Sequence, residues 1–256
     1  MAMEKRAGVS VLVPNWNHRF CLPRALRSAV AGLRRLQTVG ISGELLVVDD
    51  ASRDGSQKYL LNLAAHYPDL TVRVVWLGKN SGLGAARNVG LMHAAYRHAC
   101  LLDADNALEP ENLGLFYRAA CETNAALTYG NLLVLGETEA ELLSNEALQS
   151  RVYRQNYVDS FALLDVTAAL AAGGYQTTRG LLEDWELMLR LLTREALIVF
   201  VPAVFGYYYR LPGSLHTVAP ESLAHRVRRV FDQDELRSRE GRLIGRMYHP
   251  DLGWLA

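Results

Sequence analysis

The chain has 256 residues, half of them hydrophobic and 21% charged, which is the composition of a globular protein with a substantial core. Its 27 basic and 27 acidic residues balance, so we expect no nucleic-acid partner. The three cysteines lack metal-type spacing, and we find neither a signal peptide nor a run of about 20 apolar residues. These features predict a cytoplasmic protein whose function resides in a localised site.

Short apolar runs alternate with amphipathic segments from residue 9 to about 131. The runs that predict strands lie at 9–14, 44–50, 72–77, 99–105 and 126–135. Helical spacing of apolar residues marks 21–36, 56–67, 85–99 and 111–123. Because strands that are apolar throughout are typical of sheets covered on both faces, the pattern predicts an α/β fold. We expect a Rossmann-like, mostly parallel sheet with helices on both faces.

The second half of the chain is less regular. It predicts a helix at 137–156, a short strand and helix within 158–175, a helix at 181–195 and two β-rich runs separated by Pro202. The arginine-rich end predicts a helical extension over 219–256, folded against the domain or in contact with a membrane surface. We therefore divide the chain into one domain, 1–218, and that extension.

Polar side chains follow the first four predicted strands, at the edge where open parallel sheets bind ligands. In chain order they are Pro14, Asn15 and Trp16; then Asp49 and Asp50; then a glycine loop with Gly82, Gly84 and Arg87; and finally Asp103 and Asp105. Together, an aromatic ring, acids and a cation in a glycine loop could surround a nucleotide diphosphate and a metal ion.

Each feature also has an ordinary interpretation when it is taken singly. The Asp49–Asp50 pair is typical of a turn and helix cap, and Trp16 could pack at a sheet edge. Arg87, near a helix start, would face an anion or a neighbouring carboxylate. Asp103 and Asp105 could be solvated, although alternate residues of an extended segment point the same way and suit Mg²⁺ or Mn²⁺.

The third predicted strand and its glycine loop also resemble a dinucleotide-binding fingerprint, with Asp103 about 20 residues further on. Arg87 occupies the position of the third glycine, where it would crowd the helix–strand contact. That crowding argues against a dinucleotide site. A second acid pair, Glu183–Asp184, begins the helix at 181–195. It could cap the helix, or one of the two acids could face a site.

The sequence resembles that of family 2 glycosyltransferases with the GT-A fold, because six segments occur in the order seen in that family. They are SVLVPNWN, LLVVDDASRDGS, KNSGLGAARNVGL, LLDADN, AAGGY and LLEDWELMLRL. The resemblance extends from residue 9 to about 215. It implies a nucleotide-binding half, 1–131, and an acceptor-binding half, 132–218. The implied reaction transfers a sugar, with inversion, from a UDP- or GDP-linked donor to a glycan, lipid-linked or protein acceptor.

The resemblance also implies roles for individual residues. Pro14, Trp16 and Asp50 would bind the base and ribose, with Asn15, Gly82 and Arg87 completing the donor site. Asp105 would coordinate Mn²⁺ or Mg²⁺, and Asp103 would bind beside it. Asp184 would be the catalytic base. His216 would be a further metal or diphosphate contact, or else a surface-loop histidine.

Two alternatives remain beside this hypothesis. One is a non-catalytic GT-A domain that binds a nucleotide sugar or a partner protein, which the complete set of acids disfavours. The other is a nucleotidyltransferase, which would release pyrophosphate instead of a nucleoside diphosphate.

Overall fold

The computed structural model describes residues 5–136, 141–177, 182–210 and 245–255. Within these ranges, one sheet contains eleven strands. The strands are β1 (Arg6–Asn15), β2 (Gly43–Asp49), β3 (Thr71–Trp76), β4 (Tyr96–Leu101), β5 (Ala107–Leu108), β6 (Leu127–Leu135), β7 (Glu141–Leu143), β8 (Leu163–Asp165), β9 (Ile198–Tyr209), β10 (Met247–His249) and β11 (Gly253–Leu255). The helices are α1 (Leu22–Thr38), α2 (Ser56–Leu60), α3 (Leu63–His66), α4 (Leu83–His93), α5 (Leu113–Thr123), α6 (Val166–Ala171) and α7 (Glu183–Thr193).

The first half of the sheet has the strand order β3-β2-β1-β4, and all of its pairs are parallel. The four strands predicted there are confirmed. The chain places β2 and then β3 on one side of β1, and β4 on the other. The strand order therefore reverses at β1, and a ligand crevice is expected beyond the carboxyl ends of β1 and β4.

The second half of the sheet begins in space at β8, which lies between β4 and β6 and runs antiparallel to both. Its first residue, Leu163, lies opposite Cys100 near the carboxyl end of β4. Residues 158–162 therefore approach the sheet at the edge where β4 ends. Because β8 is antiparallel to both β4 and β6, β6 runs parallel to β4. Strand β9 is parallel to β6 and therefore to β4.

The two β-rich runs around Pro202 form one strand, β9, and not two. The strand tolerates the proline because the ladder with β6 is interrupted there. Gly130 pairs with Val201 and Asn131 with Val204, so Pro202 lies in a bulge. A residue without an N–H costs no ladder hydrogen bond at such a position.

Two helix predictions are wrong where the structure describes the residues. In 141–156 the chain forms β7, which pairs with β6, and a 3₁₀ turn at Ser150–Tyr153. In the predicted helical extension, β10 pairs with β9 through Met247 and with β11. Sheet edges that accept further strands override the local helical pattern in both places. The rest of the extension, 219–244, lies outside the described residues.

Helices cover both faces of the sheet, as predicted. On one face α4, α6 and α7 pack around Leu12, Tyr129 and Trp185, all of them fully buried. On the other face α1 and α5 pack around Leu26 and Phe116. None of the helices in the described ranges combines the length and the apolar character needed to cross a membrane.

His98 is an exception to the apolar core. It lies on β4 with 2% of its surface exposed, and neither ring nitrogen has a hydrogen-bond partner within the described part of the chain. Its ring meets the Tyr117 ring edge-on at 5.4 Å. Burial disfavours the charged imidazolium and lowers the pKa of His98 to about 4.

We predict that His98 makes the protein acid-sensitive. Between pH 6.5 and 4 the unfolded histidine binds a proton that the folded one does not, so stability is lost as the pH falls through this window. His98→Leu should remove roughly 3 kcal/mol of that loss. Urea unfolding at pH 7 and pH 4 measures it, with the exposed His93→Leu as control. Parallel pH dependence in the wild type and His98→Leu would contradict the prediction.

Candidate active site

Polar residues from six segments meet at the carboxyl edge of the sheet. The segments follow β1, β2 and β4, precede α4 and β8, and begin α7. The first contacts join β1 to β2. The Asn15 amide donates to Asp49 Oδ1 at 2.7 Å and to Ser52 Oγ at 3.1 Å. Asp49 Oδ2 accepts from the Ser52 N–H and the Gln57 amide, both at 3.0 Å. Asp49 therefore stabilises a turn, as the first interpretation of the Asp49–Asp50 pair predicts, and the Asn15 amide stabilises the same turn.

Asp50 binds the glycine loop. Its Oδ1 accepts from the Ser81 N–H at 2.7 Å, and its Oδ2 accepts from the Gly82 N–H at 2.8 Å and the Asn80 amide at 3.1 Å. Gly82 has φ +93°, a backbone conformation that favours glycine. Asp50 thus fixes the loop that precedes α4 while lying 2% exposed.

Pro14 and Trp16 are the neighbours of Asn15 in the chain. Pro14 is buried in β1 opposite Val48 of β2. Its missing N–H costs no bond on the other side, because the ladder with β4 has ended at Leu12. Trp16, just beyond the strand, is half exposed. Of the predicted base-binding residues, it is the one that presents a wide apolar surface to solvent.

Arg87 connects three segments of the site. Its guanidinium donates to both carboxylate oxygens of Asp103, at 2.9 and 3.2 Å, and to Ser160 Oγ at 2.7 Å. Its other terminal nitrogen donates to Glu183 Oε1 at 3.1 Å. The side chain is 3% exposed, against 25% for Asp103 and 21% for Glu183. Arg87 therefore faces carboxylates, which was one of the two interpretations its position left open.

Asp105 differs from Asp103 in its partners. Burial and the charge of Asp103 raise the pKa of Asp105, so this carboxylate favours a nearby positive charge. Arg24 donates to the backbone carbonyl of Asp105 and lies over the Tyr209 ring, 3.4 Å from its centroid. Both aspartates are only partly exposed, so the interpretation of a fully solvated loop does not describe them.

The residues present suit a hard divalent cation. Carboxylate oxygens are the ligands that Mg²⁺ and Mn²⁺ prefer, and such ions often take one or two from the protein and the rest from substrate phosphates and water. In the described part of the chain no cluster of three or more metal-type ligands occurs. Asp105 and Asp103 would hold the ion. His216 lies outside the described residues.

The Glu183–Asp184 pair separates at the start of α7. Glu183 points to Arg87, whereas Asp184 Oδ2 accepts from the Asn156 amide at 3.2 Å and Oδ1 from the Trp185 N–H at 2.7 Å. The helix start is anchored by Trp185, which is fully buried and donates its indole N–H to the Val152 carbonyl at 2.6 Å. Glu183 thus forms an ion pair with Arg87, whereas Asp184 lies beside the site without contacting Arg87.

The AAGGY turn contacts both α7 and α4. Arg190 of α7 donates to the Ala172 and Gly174 carbonyls of the turn. Asn88 of α4 exchanges two hydrogen bonds of 2.7 Å with the Tyr175 backbone. A Cβ on Gly84 would lie 2.2 Å from the Gln176 carbonyl oxygen, so only glycine fits there. Gly82 and Gly84 are therefore explained by the Asp50 loop and by this close contact, without a dinucleotide.

Asp159 is a site residue that the sequence analysis missed. It lies just before β8, and burial together with the charges of Asp103 and Asp184 raises its pKa to about 7. Site acids are expected after parallel strands, but β8 is antiparallel, so the residues that precede it lie at the same edge of the sheet. The signal was an acid next to the short apolar run FALL.

Tyr208 was also missed. In the run YYYR, Tyr207 donates to Glu109 at 2.6 Å and the Tyr209 ring packs under Arg24. Alternate strand residues point to opposite faces, so Tyr208 faces the other way. Burial and the nearby acids, Asp159 first among them, raise its pKa. Its hydroxyl is therefore protonated and lies near the acids of the site.

Comparison with known proteins identifies the family. The model of glycosyl transferase family 2 matches residues 10–178. The chain belongs to glycosyl transferase family 2. It is 33% identical over 134 residues to succinoglycan biosynthesis protein ExoO of Rhizobium meliloti, covering 52% of this chain and 36% of that protein. It is also 33% identical over 101 residues to human dolichyl-phosphate beta-glucosyltransferase, covering 39% of this chain and 31% of that protein. The matched region thus spans about a third of each relative.

Solved structures share the fold of this family 2 member. S. aureus TarS 1–349 in complex with UDP-GlcNAc superposes with a TM-score of 0.71 at 18% identity, covering 91% of this chain and 70% of that one. The mannosyltransferase PcManGT of Pyrobaculum calidifontis, in complex with GDP-Man and Mn²⁺, gives 0.62 at 19% identity, covering 88% and 61%. The predicted GT-A fold is confirmed.

We predict that Arg87 is needed for folding stability. Arg87→Met leaves Asp103 and Glu183 without their cation, and removing one partner of a buried ion pair costs roughly 3–5 kcal/mol. Partial exposure of both acids should keep the loss at about 3 kcal/mol, measured by urea unfolding. The control is Arg35→Met, which breaks an exposed pair with Glu111 and should cost under about 1 kcal/mol. Equal stability of the two variants would refute this role.

Proposed function

We propose that this protein is an inverting, divalent-metal-dependent glycosyltransferase that moves a sugar from a UDP- or GDP-linked donor to an acceptor hydroxyl in glycan or polysaccharide biosynthesis. The observation that carries the proposal is the Arg87 fork, which joins Asp103 of the D-x-D segment to Glu183 at the start of α7. This supports a shared space for Asp105, the proposed metal ligand, and Asp184, the proposed proton acceptor. Family membership and the fold support this function.

The donor would bind along the ends of β1 and β2. Trp16 is exposed and could stack on the base. Pro14, Asn15 and the Asp50-bound loop at Gly82 would form the wall behind it. Asp50 Oδ1 accepts one bond, from the Ser81 N–H, and a carboxylate oxygen has two acceptor directions, so Oδ1 could also accept from the base. Two solved structures of similar fold are named as complexes with UDP-GlcNAc and with GDP-Man, which supports a nucleotide-sugar donor.

Asp105 and Asp103 would bind the divalent ion, which when present neutralises the diphosphate and makes it a better leaving group. Arg87 holds Asp103 by both oxygens, so we assign the principal ligand role to Asp105. The structure of PcManGT is named with Mn²⁺, which supports Mn²⁺ or Mg²⁺ here.

Asp184 would act as the base. It removes a proton from the acceptor hydroxyl as that oxygen attacks the anomeric carbon from the face opposite the diphosphate. The new C–O bond forms as the bond to the nucleotide breaks, and the electron pair leaves with the diphosphate. The Asn156 amide and the Trp185 N–H bind the Asp184 carboxylate and orient it.

The relatives support a setting near a membrane. Several are named as transferases acting on dolichyl or undecaprenyl phosphate, so we infer a cytoplasmic enzyme that meets acceptors at a membrane surface. The acceptor would be a glycan, a lipid-linked molecule or a protein. The sequence predicts such a contact through a C-terminal helix, whereas Met247–His249 and Gly253–Leu255 of that segment form the strands β10 and β11.

We predict that Asp184→Asn abolishes catalysis and spares donor binding. A positioned base contributes about 10²–10⁴-fold, so release of nucleoside diphosphate from the best-binding donor should fall by at least 100-fold. Donor affinity, measured by calorimetry, should stay within about twofold of the wild type. Asp69→Asn, which alters a surface pair with Arg34 at the opposite edge of the sheet, is the control. A wild type that binds nucleotide sugars and turns over none would indicate a non-catalytic domain instead.

We predict that Asp105→Ala removes metal-dependent donor binding. Without this carboxylate the ion loses its main protein ligand, so added Mn²⁺ should no longer raise donor affinity. Calorimetry with nucleotide sugar, with and without Mn²⁺, measures the effect, and Asp69→Ala is the control. An unchanged Mn²⁺ effect in Asp105→Ala would show that the ion is held elsewhere.

A further inference from the structure

The turn between β1 and α1 presents an aromatic side chain to solvent. Phe20 is 95% exposed, the largest exposed fraction of any large apolar side chain in the described ranges. The turn is closed by hydrogen bonds, because the N–H groups of Cys21 and Leu22 both donate to the His18 carbonyl, at 3.0 and 2.8 Å. An ordered backbone therefore holds Phe20 outward, and its exposure is a feature of the fold.

The loop after β2 fixes this turn from the other side. The Asn17 N–H donates to Ser52 Oγ at 2.9 Å, and the Arg53 N–H donates to Asn17 Oδ1 at 2.7 Å. The Arg19 N–H donates to Asp54 Oδ2 at 2.7 Å. These bonds place Arg53 beside the turn that carries Arg19.

Basic residues lie around Phe20. Residues 5–43 contain basic residues and no acidic one, although acids and bases balance over the whole chain. The Arg19 guanidinium lies 4.4 Å from the centroid of the Tyr59 ring. Burial raises the pKa of Tyr59, whereas the charges of Arg19 and Arg27 act to lower it. Both cations therefore lie near one ring.

Three arginines near Phe20 are available to an external anion. Arg19, Arg27 and Arg53 form no ion pair with a described acid, and the last two are exposed. Asp54, next to Arg53, accepts from a backbone N–H, so three positive charges face one negative charge here. We call Phe20 and these three arginines the Phe20 surface.

The shape and charge of the Phe20 surface select a lipid bilayer as its partner. Anionic head groups attract basic side chains, and aromatic side chains insert at the boundary between head groups and acyl chains. A protein partner would need an apolar centre to its interface, whereas this surface has one protruding apolar side chain. A fluid bilayer accepts such a side chain without a preformed cavity. Single-stranded nucleic acid binds to several stacked aromatics along a basic groove, which Phe20 alone does not supply.

We propose that the Phe20 surface docks this protein onto a membrane that carries anionic lipids, with Phe20 inserted at the acyl-chain boundary and the three arginines at the head groups. The inference rests on the proposed setting at a membrane surface and adds the face that meets the membrane. Phe20 follows β1 and Arg53 follows β2. Docking would therefore turn the carboxyl ends of these strands, and with them the proposed donor site, toward the head groups.

The experiment is co-sedimentation of the full chain with vesicles of phosphatidylcholine, with and without phosphatidylglycerol, over a series of NaCl concentrations. The variants are Phe20→Ser and Arg53→Gln. Met92→Ser is the matched apolar control, because Met92 is 59% exposed on α4, at the opposite face of the sheet. Arg194→Gln, which changes an exposed arginine after α7, is the matched charge control. All four side chains are exposed, so we expect the variants to fold.

We expect the wild type to bind the anionic vesicles, and to bind them more weakly as salt screens the charges. Phe20→Ser should weaken binding at least tenfold, because an inserted aromatic side chain is lost. Arg53→Gln should weaken it about fivefold, and neither control should change it. Donor affinity in solution, measured by calorimetry, should be the same in all variants.

Equal binding to both kinds of vesicle would overturn the proposal, as would a loss in Met92→Ser equal to that in Phe20→Ser. Tighter binding of the wild type to a single-stranded oligonucleotide, or a dimer that Phe20→Ser dissociates, would overturn it in favour of another occupant. A wild type that binds nucleotide sugar but no vesicle refutes the docking surface alone. One that binds vesicles through Phe20 but no nucleotide sugar refutes the proposed glycosyl transfer and supports the docking surface.

Discussion

The site depends on one buried cation. The Arg87 guanidinium is 3% exposed. Burial by itself lowers its pKa, but the charges of the surrounding acids, Asp103 first among them, outweigh that effect and raise it. Its planar fork binds both oxygens of Asp103 and reaches Glu183 and Ser160 as well. A lysine, with one nitrogen, could not span these directions. Segments that are distant in sequence are thereby fixed relative to one another before any ligand binds.

The second constraint is the direction of β8. Because this short strand runs antiparallel between β4 and β6, the residues before it arrive where β4 ends. Asp159 and Ser160 therefore meet Asp103 and Arg87. The residue at the other end of β8, Asp165, lies at the opposite edge, where it pairs with Arg97 at 2.7 Å. One reversed strand thus adds a wall to a crevice that parallel strands alone would leave open on the β4 side.

The local sequence pattern was sufficient to predict the strands of the parallel half of the sheet, but not those of the other half. Continuous apolar runs located β1 to β4, and the polar residues after them do gather at one edge. Neither the direction of β8 nor the bulge at Pro202 has a local signal, because both depend on which strands lie alongside. Asp159 was missed for that reason. The glycine loop was recognised, but its partner, Asp50, could be identified only from the contacts across β2.

In each pair of neighbouring acids at the site, the two carboxylates have different partners. Asp49 accepts bonds from Asn15 and its own turn, while Asp50 binds the glycine loop. Asp103 pairs with Arg87, which leaves Asp105 without an ion pair among the described residues. Glu183 also pairs with Arg87, whereas Asp184 lines a small pocket together with Asp159, Ser160 and Tyr175. A lone carboxylate could not both compensate a buried cation and remain available to a metal or a proton. Two adjacent ones can, because neighbouring side chains point in different directions.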